Sequence, residues 1–144
     1  TFKLAIAAIQ EEKKRGFRVT RATTFFEDTT VEKAEEFLDF LTPFGLDGIT
    51  MASAFRYQDA PDQDHFFGRR RTFEFFDKLL AKNKKSRWDF SHSPLYLEFL
   101  RGKRDYSCTP WGNPSYSVLG WQKPCYLLDE GYAETFKELM ETTE

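Results

Sequence analysis

The sequence predicts an α/β fold, and three observations carry that prediction. The first half alternates helical and extended text with tight joins, the rhythm of units wound around a parallel sheet. Hydrophobic residues make up 40% and charged residues 31% of 144 residues, the balance of a globular chain long enough for a proper core. The second half is helical and then irregular, with an aromatic, proline-containing loop before a last helix.

Phe2, Ala5, Ile6 and Ile9 fall on one face of a helix over 2–15, and Gly16 follows its last basic turn as a C′ glycine. Residues 17–26 are β-branched and aromatic, with Phe17, Val19, Arg21 and Thr23 alternating against Arg18, Thr20 and Ala22, so a strand is expected. Thr30 is placed to cap a second helix, although Lys33 stands where a capping box has a carboxylate or amide. Val31, Ala34, Phe37, Leu38 and Leu41 form its apolar stripe, and Pro43 and Gly45 end it. Residues 47–55 read as a short apolar strand. One βαβ unit cannot bury both faces of its sheet, so neighbouring strands are expected. The chain enters helical text at Thr1 and stops in a charged helical run at Glu144, so both ends read as cut.

After Phe55 comes a loop, RYQDAPDQ, and then a helix of about 20 residues with Phe66, Phe73, Phe76 and Leu80 on one face. Asp62 and Asp64 belong at its positive end. Residues 82–87, KNKKSR, form a solvated basic turn. Ser93 and Pro94 open a short helix, YSVLGWQ reads as a hairpin, and YAETFKELM closes the chain as a helix.

A net charge of −2 leaves no polybasic field, so nucleic acid is not an expected partner. No apolar run is long enough to span a bilayer. Two cysteines are too few for a disulfide framework and suggest a reducing interior.

Those two, Cys108 and Cys125, are the first chemical candidates. Eleven residues separate Cys108 from Gly120, and four separate Gly120 from Cys125. On spacing alone they are inert buried thiols or part of a metal site that this chain does not complete, since clusters and structural zinc take four ligands. DQDH, 62–65, offers hard ligands but also suits a helix start, and His65 and His92 suit surface or structural roles. The arginine run 69–71 reads as a solvated helix face that could meet an anion. The strand ends weigh more, because parallel sheets bind ligands beyond their carboxyl edge. There stand Thr23, Thr24 and Phe25, then Ala52, Ser53 and Phe55, and then Tyr57, hydroxyls and rings that suit a nucleoside or serve as ordinary packing.

GFRV, DGIT, APDQDHF, CTPWGNP, GWQKPCYLL and GYAETFKELMETT together resemble one family, the radical S-adenosylmethionine enzymes of hopanoid biosynthesis. The resemblance covers essentially the whole chain, but only the later part of such an enzyme. It implies the last two strands and helices of a partial (β/α)6 TIM-like barrel over 1–60, with strands near 17–26 and 48–54. A mostly helical and irregular C-terminal extension follows over 61–144. It implies a 4Fe–4S cluster on a Cys-x-x-x-Cys-x-x-Cys triad, which cleaves S-adenosylmethionine so that a 5′-deoxyadenosyl radical adds to a hopene double bond. That triad is absent here, so this chain alone should be inactive and holds no catalytic residue of its own.

Carried over residue by residue, Thr24, Ala52 and Ser53 would line the cofactor side, and Phe55 and Tyr57 would face the apolar isoprenoid substrate. Cys108 and Cys125, in loop 106–126, would begin an auxiliary iron–sulfur site of the SPASM or twitch type, with Gly120 allowing the hairpin and Trp111 and Trp121 shielding it. The stretch SAFRYQ departs from the Gly/Pro/Tyr-rich text of the family. An electron donor such as flavodoxin or ferredoxin, and a cytoplasmic place peripheral to the inner membrane, complete what the resemblance implies. The rival readings are a non-enzymatic module that binds lipid or protein, and a related enzyme acting on another isoprenoid.

Overall fold

The first helix, α1 (Phe2–Lys14), ends at Gly16, whose φ of +82° is the left-handed turn that its position calls for. The computed structural model describes residues 2–55, 61, 63–107, 113–125 and 130–141. No residue of α1 is buried, and its Phe2 touches the Phe40 ring at 5.8 Å between centroids.

Strand β1 (Arg21–Phe25) is shorter than the text 17–26 suggests. Thr30 then caps α2 (Val31–Leu41), its hydroxyl accepting from the Lys33 N–H at 3.2 Å. Val31, Ala34, Leu38 and Leu41 are buried, as the stripe requires. A 3₁₀ turn at Thr42–Phe44 and a left-handed Gly45 lead to β2 (Ile49–Ser53). The two strands are parallel, with Thr24 opposite Ala52 and Phe25 opposite Ser53.

The long helix expected from residue 62 onward is replaced by three pieces. Gln63–His65 is a 3₁₀ turn, Phe67 makes a parallel bridge to Phe55, and only then does α3 (Arg69–Ala81) begin, with Gly68 as N-cap. Its buried face is Thr72, Phe75, Phe76 and Leu79; of the expected face Phe76 is buried, and Phe66, Phe73 and Leu80 are half-buried. Helix α4 (Pro94–Leu100) follows its cap Ser93, which accepts from the Tyr96 N–H.

The far edge of β2 is closed by segments that periodicity does not mark. The Ile49 N–H donates to the Asp89 carbonyl and the Ser91 N–H to the Ile49 carbonyl, a short parallel pairing. One step on, His92 substitutes for a strand. Its Nε2 lies 2.8 Å from both the amide nitrogen and the carbonyl oxygen of Met51, accepting from one or donating to the other according to tautomer. Among the described residues the free edge of β1 has no such cover. Arg21 and Phe25 spend their backbone groups on β2, so the alternate residues Ala22 and Thr24 turn theirs to an edge where no described strand pairs.

The core gathers Phe25, Ile49 and Met51 from the sheet, Ala34 and Leu38 from α2, and Phe75 and Phe76 from α3. Phe75 stands at its centre, with the Phe25, Phe67 and Phe76 rings each 5.2 Å away. Outside it, Glu35 accepts from Lys82 and Arg87, and Arg87 also reaches Asp39, which accepts from the Trp88 indole N–H at 3.0 Å.

The chain divides into two compact units, Thr1–Arg56 with Asp62–Asp105, and Tyr57–Pro61 with Tyr106–Glu144. In the second, β3 (Tyr116–Ser117), β4 (Gly120–Gln122) and β5 (Tyr132–Ala133) form an antiparallel sheet, with Gly120 at φ +116° in the hairpin. Thus the first two residues of YAETFKELM are strand, and the closing helix α5 is only Phe136–Glu141. Trp121 packs between the Tyr116 and Phe136 rings, at 5.0 and 5.1 Å.

Three ion-paired carboxylates lead us to expect that acid weakens this fold. Lys82 and then Arg87 hold Glu35 below its ordinary pKa; Lys13 and the Val19 N–H do so for Asp47, and Arg101 and Lys103 for Asp77. Each depressed value means that the unfolded chain binds the proton first, so stability is present above the usual carboxylate range and falls as pH drops through it. The urea midpoint is expected to stay level from neutrality to about pH 5 and to decline below about pH 4. Glu35→Gln should flatten part of that decline, and a midpoint indifferent to acid would refute the assignment.

Candidate functional site

Segment 63–67 crosses the carboxyl ends of both strands. The His65 carbonyl accepts from the Glu27 N–H at 3.1 Å, and the Phe67 N–H donates to the Ala54 carbonyl at 2.9 Å. Arg71 fixes this crossing: it bonds the Thr29 carbonyl, pairs with Glu27 at 3.4 Å and lies over the Phe67 and Phe75 rings.

Of the residues expected on the cofactor side, the structure brings Thr24 and Ala52 together as cross-strand partners on one face. That face also carries Ala22 and Thr50, so it is paved with small side chains; Ala22 and Thr24 are exposed, and Thr50 and Ala52 half-buried. Ser53 points the other way. It is 2% exposed on the helix-covered side, its Oγ 3.4 Å from the Thr72 hydroxyl, which also bonds the Gly68 carbonyl. Beside the free edge of β1 lies a groove of about 290 Å³ between that strand and α2, edged by Thr29 and Lys33. Next to it the buried Thr23 hydroxyl has no hydrogen-bond partner among the described residues.

Phe55 leaves β2 and lines a larger cavity, about 370 Å³, with Phe67, Phe73, Phe99 and Leu100. Gly68, Arg69 and Thr72 complete the lining. Sequence reasoning marked Phe55 and the arginine run at 69–71 but missed the cavity itself, because its walls come from separate stretches near residues 55, 67–73 and 99–100. Tyr57, Cys108 and Trp111 lie outside the described residues. Cys125 is half-buried with a free thiol. Among the described residues no three histidine, cysteine or acidic side chains converge as a metal site, and no helix is long and apolar enough to cross a membrane. His65 is exposed, and His92 is the structural histidine of the sheet edge.

The profile of a family described as a domain of unknown function, DUF3463, matches residues 49–144, well over half of the chain. The chain belongs to the DUF3463 family. The DUF3463 match begins with β2 and takes in the whole cavity lining, α3, α4 and the second compact unit. Strand β1, with Thr24, precedes it. No curated protein and no solved structure matches this DUF3463 chain.

Proposed function

We propose that this chain is the C-terminal part of a radical S-adenosylmethionine enzyme that adds a 5′-deoxyadenosyl radical to a hopene double bond, forming adenosylhopane in hopanoid biosynthesis. The observation that carries the reading is the asymmetry of the parallel sheet. Among the described residues its far edge is closed by Asp89–Ser91 and His92, its β1 edge is open, and α2 and α3 cover one face while the other shows small residues. The last strands of a half-barrel need that arrangement: a neighbour on one side, helices outside, and room within.

S-adenosylmethionine and its 4Fe–4S cluster, held by a triad outside this chain, supply the radical when bound. The residues present fit the adenosyl part: Thr24 offers a hydroxyl at the strand end, and Ala22 and Ala52 leave space for a flat ring beside it. Ser53 holds the sheet to α3 through Thr72 and serves the cofactor only indirectly. Phe55 faces the apolar substrate at the exit of β2, and Tyr57, outside the described residues, is assigned to the same substrate by the resemblance alone. Cys108 and Cys125 give two thiolates where a cluster takes four, so an auxiliary site draws its other ligands from elsewhere, and no step is assigned to it. A flavodoxin or ferredoxin donor and a place beside the inner membrane belong to the same reading.

The test is anaerobic reconstitution of the full-length parent with hopene, S-adenosylmethionine and a reductant, followed by mass spectrometry. Adenosylated hopene is expected. Its absence from an enzyme whose cluster is spectroscopically intact would reject the reaction.

A further inference from the structure

We propose that the cavity beyond β2 holds the tail of a single-chain anionic amphiphile, a carboxylate or phosphate monoester on an unbranched hydrocarbon, with its charged end on Arg69. Five of the lining residues are Phe55, Phe67, Phe73, Phe99 and Leu100, so the interior presents carbon. The Thr72 hydroxyl is committed to the Gly68 carbonyl and Ser53, and offers little to a polar body. At about 370 Å³ the space sits near the low end of ligand pockets, which suits a slim chain.

Among the described residues Arg69 is the single charged one in the lining. Its guanidinium lies 5.4 Å from the centre of the Phe73 ring, which keeps it at the cavity. Among the described residues only its Nη2 has a hydrogen-bond partner, Asp105 at 2.6 Å. Both side chains of that pair are largely exposed, 71% and 84%, and an exposed ion pair is worth little in water. A second anion can therefore replace Asp105 or share the guanidinium fork, with two parallel bonds available to it. The first turn of α3 has three arginines and no acid; Arg70 pairs with Glu74 and Arg71 with Glu27, which leaves Arg69 as the one facing the cavity. This site shares Phe55 with the substrate side of the radical-enzyme reading but does not rest on it, and amphiphile binding is measured without any turnover, so either can fail alone.

Dodecanoate, dodecyl phosphate and dodecanol are titrated into the full chain against a fluorescent fatty-acid probe, with near-ultraviolet circular dichroism establishing that each variant is folded. Both anions are expected to bind about tenfold or more tightly than the alcohol. Arg69→Ala should erase that preference and leave dodecanol unchanged, whereas Asp105→Asn, which removes the competitor, should tighten both anions. Gly68→Leu should weaken all three: Gly68 lines the cavity, and its ordinary φ of −78° with nothing within 4 Å of an added Cβ admits a larger side chain at that wall. Dodecanol binding as well as the anions, or anion binding indifferent to both Arg69→Ala and Asp105→Asn, overturns the charged contact. Binding unaffected by Gly68→Leu, or no binding by the folded chain, overturns the site.

Discussion

Replacing Phe75 by alanine is expected to cost about 3–5 kcal/mol of folding stability, because a fully buried ring leaves a hole that its neighbours cannot close. Phe75 is 0% exposed and touches the rings of Phe25, Phe67 and Phe76, so the loss reaches β1, the bridge at Phe55 and α3 together. For a domain of ordinary stability that is a large share of the total. Urea unfolding followed through Trp88, buried in the same cluster, measures it. Phe2→Ala, at a ring 62% exposed, is the control and should leave the midpoint nearly unmoved. A loss for Phe75→Ala below about 1 kcal/mol would mean that the ring cluster is not the centre of the core.

The second large effect concerns the uncovered sheet face. On the proposed radical chemistry, Ala52→Trp in the reconstituted full-length parent is expected to lower turnover on the order of a hundredfold, since small displacements of a bound reactant have effects of that size. The side chain is half-buried among small neighbours, so the substitution should leave the unfolding midpoint of this chain little changed. Ala52→Ser should keep activity. Wild-type turnover in the tryptophan variant would show that this face does not receive the adenosyl group.

Local signals in the sequence were legible where one residue type suffices. Thr30 and Ser93 cap the helices that they were expected to cap, Gly16 and Gly120 take positive φ, and the two strands are parallel. The separation of Ala52 from Ser53 was also readable, because successive strand residues face opposite ways. What stayed hidden was non-local. A histidine that bonds a strand through its ring leaves no period-two trace, so the closed edge could not be seen at Asp89–His92. The late start of α3 depends on Phe67 pairing with Phe55 across the chain, and the cavity depends in turn on that start. Cysteine spacing has no counterpart in the described geometry, since Cys108 lies outside it.

The imidazole against Met51 has a consequence for self-association. A sheet that can be extended from either side polymerises, but one with a stopper on one flank has a valence of one. Two such molecules meeting through β1 would consume the one open edge of each described parallel sheet and halt as a pair. Concentrated preparations of this chain should therefore accumulate closed dimers through that strand in place of growing fibres.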